Sequence, residues 1–106
     1  MDDAGWFVEG LAFHVAGQLT EQRLARVRSA VAEGQSPARL TDAFSGQLRY
    51  DTSASIVRFI EIRWGRATLK KLLPVMTNAE ILALLATTEE NLLAAWREWV
   101  TEPRGA

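Results

Sequence analysis

The chain has 106 residues, with 12 Lys plus Arg against 13 Asp plus Glu, a formal net charge of −1 with His neutral. That balance argues against a protein that coats nucleic acid, because phosphate binding ordinarily shows as a basic excess or a basic tail. At 48% hydrophobic and 24% charged it has the composition of one globular domain with a single core, and the lack of Cys excludes disulfides, Cys-ligated zinc and thiol nucleophiles.

No apolar run approaches the roughly 18 to 20 residues of a membrane span. The longest is Ile81 to Ala86. The opening Met1-Asp2-Asp3 is acidic where a signal peptide is basic, so the chain as written reads as soluble with no export signal.

Apolar residues recur at helical spacing almost throughout, and no segment alternates cleanly with period 2. The expected fold is therefore all-α, a compact bundle of about five to six helices forming a single domain over residues 1–106, with an ordered core at about 6–101. The first helix is expected over about Trp6 to Ala16, with Gly17 as its stop and with Gly10 inside it. An interior glycine costs about 1 kcal/mol relative to Ala, so it either marks the close approach of another backbone or is simply tolerated. A second helix opens at Thr20, a good N-cap, carries Leu24, Val27 and Val31, and stops at Gly34. Its arginines Arg23, Arg26 and Arg28 read as a solvated face.

Gln35 to Asp51 reads as a long connection pinned by Leu40, Phe44 and Leu48. A third helix over about Thr52 to Trp64 places Ile56, Phe59, Ile60 and Arg63 or Trp64 in one stripe, is the expected centre of the core, and ends at Gly65. A short helix over Ala67 to Leu73 must end or kink at Pro74. Thr77 to Glu80 has capping-box spacing, and Thr87-Thr88-Glu89-Glu90 repeats the signal before a last helix with Leu92, Leu93, Trp96 and Val100 on its apolar face. Pro103 to Ala106 is expected to fray. Trp64, Trp96 and Trp99 read as core residues.

The chain has one imidazole, His14. A serine triad would have to use it, yet no Gly-x-Ser-x-Gly elbow is present. Glu9 and His14 lie about 140° apart around a helix and cannot chelate one ion. His14 reads as a partly exposed helix residue, Asp2 and Asp3 as solvated acids, and the glycines do not cluster into a phosphate loop.

The string Trp6-Phe7-Val8-Glu9-Gly10-Leu11-Ala12-Phe13 resembles the Trp-x-x-Glu-Gly-Leu-Ala-aromatic signature of gluzincin zinc metallopeptidases, particularly bacterial peptidase-MA-like proteins. The likeness continues more loosely through Tyr50 to Ile60, Arg63-Trp64-Gly65, Leu69 to Leu73 and Glu90 to Val100. In that family a His-Glu-x-x-His helix binds zinc, and the glutamate of the later helix is the third ligand. The resemblance implies that role for Glu9, and a substrate or transition-state hydrogen bond from Tyr50; a buried tyrosine tethered to backbone is the competing reading. Two His plus one carboxylate leave zinc a fourth position for water.

This chain has no His-Glu-x-x-His. The resemblance therefore implies only the C-terminal helical subdomain, inactive alone and binding no zinc by itself, with peptide hydrolysis the activity of a longer parent. Met1 is then an internal methionine, a boundary, or the start of a truncated homologue. The expected partner is the missing zinc-bearing half or a second copy, docked on an exposed apolar face around Trp6, Phe7 and Leu11. The competing reading is a non-catalytic helical interaction or structural module derived from that fold.

Overall fold

The computed structural model describes residues 3–74 and 77–102. Among these, every regular element is helical: α1 (Gly5–Val15), α2 (Glu21–Ala32), a 3-10 turn (Leu40–Asp42), α3 (Arg49–Trp64), α4 (Arg66–Lys71), α5 (Asn78–Leu85) and α6 (Glu89–Thr101). The all-α expectation holds, and no described helix is long and apolar enough to cross a membrane. The expected fraying of Pro103 to Ala106 lies outside the described residues.

The caps expected at Thr20 and Thr77 are made, while the last helix is capped at Thr88 without the capping box that the Thr87 to Glu90 spacing suggested. Thr20 accepts from the Arg23 amide, Thr88 accepts from the Asn91 amide, and Thr77 and Glu80 form the reciprocal capping box. Each removes orphan amides from a helix start, worth about 1 kcal/mol per cap. The Thr88 cap is a simple one, since its third helical position holds Asn91 rather than an acid.

α3 begins at Arg49, three residues before the expected start. Its N-cap, Leu48, supplies no side-chain cap, so no local signal marks the entry. Packing supplies it instead: Tyr50 in the first turn stacks on Phe13 and meets Phe44 edge-on, with ring centroids 5.7 and 5.0 Å apart. α4 spans Arg66–Lys71 rather than reaching Leu73, and its chain has left the helix before Pro74. Gly65, at φ 93°, ends α3 and turns the chain into α4. Only glycine adopts that backbone freely.

α3 is the centre of the core. Ser53, Ala54, Ser55, Ile56, Val57, Phe59 and Ile60 are all buried, so the helix is covered on most sides rather than along one stripe. Trp64 is half-buried and its Nε1 donates to the Leu85 carbonyl at 3.2 Å, whereas Arg63 is exposed beside its ring. α6 contributes Leu92, Leu93, Trp96 and Val100, and the buried Trp96 indole donates to Ser55 Oγ at 3.0 Å. That hydroxyl in turn donates to the Thr52 carbonyl. A buried indole N–H thus keeps a partner without water.

α1 lies directly against α3 because Gly10 has no side chain. A Cβ built there would sit 2.6 Å from the Ser53 carbonyl carbon and 2.7 Å from its oxygen. Of the two readings of this glycine, close backbone approach is the correct one.

The expected apolar face at Trp6, Phe7 and Leu11 is corrected by the structure. Trp6 and Phe7 are 1% and 2% exposed, and Leu11 packs partly against the same core. The chain itself supplies their partner surface. Trp6 Nε1 donates to Asn78 Oδ1 at 2.7 Å, the Asn78 amide donates to Asp3 Oδ1 at 2.7 Å, and Asn78 Nδ2 donates to the Asp3 carbonyl at 3.0 Å. The start of the described chain is therefore tied to the N-terminus of α5, and Asp3 is a cap rather than a free solvated acid.

The arginines of α2 are corrected in the same way. Arg28 Nε donates to the Val100 carbonyl at 2.9 Å, joining α2 to α6, and Arg23 Nη1 reaches the buried Asp51 at 3.2 Å. Of the three, Arg26 keeps the solvated role, exposed and with no hydrogen bond or ion pair among the described residues.

Gly10→Ala tests the α1–α3 contact. Helix propensity favours Ala by about 1 kcal/mol, but the clash is with backbone, which has to move, at about 1–3 kcal/mol or more for overpacking. The expected outcome is a lower urea midpoint, with Gly5→Ala, where the added Cβ meets nothing within 4 Å, as the control that does not fall.

Candidate functional site

Helical geometry gives α1 two different edges. Trp6, Phe7 and Gly10 are buried, while Gly5, Val8, Glu9, Ala12 and Val15 are exposed. Val8 and Val15 are 53% and 74% exposed, so the outer face of α1 is apolar apart from one carboxylate, Glu9. No hydrogen bond or ion pair engages Glu9 among the described residues. Its backbone is nonetheless held firmly, because Gly10 is seated on α3.

Phe13 lies one turn beyond Glu9, about 40° around the axis, on the same edge of the helix. Its ring begins a continuous row. Tyr50 stacks on Phe13, Phe44 meets Tyr50 edge-on, Arg23 lies over Phe13 at 5.4 Å and Arg49 lies over Phe44 at 5.7 Å. A guanidinium over an aromatic face is attracted by the ring quadrupole, which holds both arginines in place. The row brings Tyr50 to the same side of α1 as Glu9. Tyr50 is 45% exposed and makes no side-chain hydrogen bond to backbone among the described residues, so the buried, tethered reading is corrected: its phenol is open to solvent.

His14 lies away from this edge. Its Nε2 is 2.6 Å from Glu61 Oε1, and the other carboxylate oxygen of Glu61 accepts from Arg66 Nε at 2.7 Å. Its side chain is 15% exposed, and its buried Nδ1 has no hydrogen-bond partner among the described residues. The expectation of an ordinary, partly exposed helix residue understates it: His14 joins the end of α1 to the end of α3 and the start of α4. Sequence reasoning missed Glu61 and Arg66 entirely. They lie 47 and 52 positions from His14, and no local pattern announces a pairing across that distance.

The hydrogen bond from His14, followed by that from Arg66, holds the Glu61 carboxyl below its ordinary value against the opposing effect of partial burial. The ionised form is the one the fold favours.

Among the described residues no group of three or more His, Cys, Asp or Glu side chains comes together to hold a metal ion. Glu9 stands alone, and His14 is committed to Glu61. The residues present therefore do not fit a complete zinc site; they offer at most one carboxylate ligand.

Comparison of the chain with models of known protein families, with curated proteins and with solved structures gave no match.

Because Glu61 is held below its ordinary value, its contribution to stability is fully present above that value and is lost as pH falls through the lowered one. Glu61→Gln is expected to cost about 1.5–3 kcal/mol near neutral pH, the range for a hydrogen bond to a charged group. The difference in urea midpoint between the wild-type chain and the variant should shrink as the pH falls through the lowered value of Glu61, where its carboxyl takes up a proton. A gap independent of pH would mean that the charge of Glu61 does not matter.

Proposed function

We propose that this chain is the C-terminal helical subdomain of a gluzincin-like zinc metallopeptidase, with Glu9 as the third zinc ligand and peptide-bond hydrolysis as the activity of a longer protein. The observation that carries this reading is the state of Glu9. It is an exposed carboxylate without a side-chain partner, on a helix whose other side is locked into the core. A ligand that must meet metal bound by another part of the protein needs a fixed backbone and a free head group.

The surroundings support the same reading. Val8, Ala12 and Val15 give α1 an apolar outer face on which a second helix could pack, and this face takes over the docking role expected of Trp6, Phe7 and Leu11. Tyr50 projects a free phenol from the row that starts one turn beyond Glu9, where a neutral hydrogen-bond donor would face a peptide carbonyl. The zinc itself belongs to the longer protein. This chain lacks both histidines of the motif and its general-base glutamate, so alone it is inactive.

Calorimetric zinc titration tests the proposal on the 106-residue chain, on the longest natural reading frame that contains it, and on Glu9→Ala in that frame. The 106-residue chain is expected to bind no zinc tightly, and the longer frame to bind it at micromolar concentration or better, as a three-residue site requires. Glu9→Ala should abolish that binding. If the natural frame binds no zinc, the peptidase reading fails and the non-catalytic interaction module takes its place.

A further inference from the structure

On the side of α1 away from Tyr50, a groove of about 470 Å³ runs between the end of α1, the end of α3 and α4. This is within the size range of small-molecule sites. Leu11 and Val15 form one wall and Leu69 and Leu73 the other. Val15 and Leu73 are 74% and 60% exposed, so these side chains are open to solvent rather than spent on the core. The remaining lining is polar and charged: His14, Glu61, Arg66 and Lys70.

The charges in that lining are unequal. Glu61 is already matched, one oxygen to His14 and the other to Arg66. Lys70 is exposed and has no ion pair among the described residues, and the Arg66 side chain is 76% exposed with only its Nε committed. An anion would find an uncommitted ammonium and a half-used guanidinium, whereas a cation would meet two like charges. The four apolar side chains offer no hydrogen-bonding group. A peptide laid along them would leave buried amides unpaired, at about 1–3 kcal/mol each, while an alkyl chain loses nothing.

We propose that this groove binds a small aliphatic carboxylate, its alkyl chain along Leu11, Val15, Leu69 and Leu73 and its head group at Lys70 and Arg66. The site uses neither Glu9 nor Tyr50 and shares only Val15 with the outer face of α1, so its test does not depend on the peptidase reading.

Decanoate, kept below its micelle-forming concentration, is the probe, with backbone amide chemical shifts as the readout. Saturable shifts confined to residues of the groove are expected. Lys70→Glu, a change at an exposed position, should weaken binding by about tenfold or more, in keeping with reversal of a contacting charge. Leu73→Ser should weaken it as well, and Arg26→Glu on α2 should leave it unchanged. Equal binding of decyltrimethylammonium, or of an acetylated peptide ending in leucine, would overturn the proposal. So would decanoate binding that Lys70→Glu leaves intact, or shifts spread over the core.

Discussion

The rest of the structure depends on one contact, the seating of Gly10 against the backbone of Ser53 and Ala54. A side chain at that point would hold α1 and α3 apart. With only hydrogen there, Trp6 and Phe7 reach full burial, Phe13 comes within stacking distance of Tyr50, and His14 comes within 2.6 Å of Glu61. The cost of an interior glycine, about 1 kcal/mol, is small against burying two aromatic side chains at about 1.5–3 kcal/mol or more each. α1 thereby becomes a rigid platform. Its inner side belongs to the core, and only its outer face and edges are free for other work.

Around this pair the remaining helices are fastened by side chains that bond to distant backbone. Arg58 donates to the Leu19 carbonyl, Arg28 to the Val100 carbonyl, and Glu89 accepts from the Leu40 amide. In each, a charged group meets a peptide group, a stronger bond than a neutral pair makes. These bonds fall at loop backbone or, for Val100, in the last turn of α6, so they reach peptide groups outside the helical ladders. The Asp3, Trp6 and Asn78 cluster does the same for the start of α5. A helical chain otherwise has few means of fixing where its loops lie.

The functional features divide along α1. Glu9 and the Phe13, Tyr50 and Phe44 row lie toward one edge, and the groove with His14, Glu61 and Arg66 lies toward the other. The apolar strip of Val8, Ala12 and Val15 runs between them. The strip and the groove meet at Val15, which belongs to both.

Much of the fold was legible from local chemistry. Thr20, Thr77 and Thr88 announce helix starts because a hydroxyl can satisfy an amide within the same few residues, and Gly65 announces a stop because only glycine takes its backbone angle cheaply. The start of α3 was not legible, since Leu48 is no cap and the first turn is held by ring contacts to Phe44, in the preceding connection, and to Phe13, 37 positions from Tyr50. For the candidate site, the isolation of Glu9 on a helix and its angular separation from His14 follow from helical spacing alone. Its exposure, its position on the same edge as Tyr50, and the pairing of His14 with Glu61 do not. By itself the sequence determined the all-helical class, most helix ends and the inability of Glu9 and His14 to share a metal, because these depend on interactions within a few residues. Only the tertiary structure decided which face of α1 stays open and which charges meet, because those depend on how closely two helices, about forty positions apart, can approach.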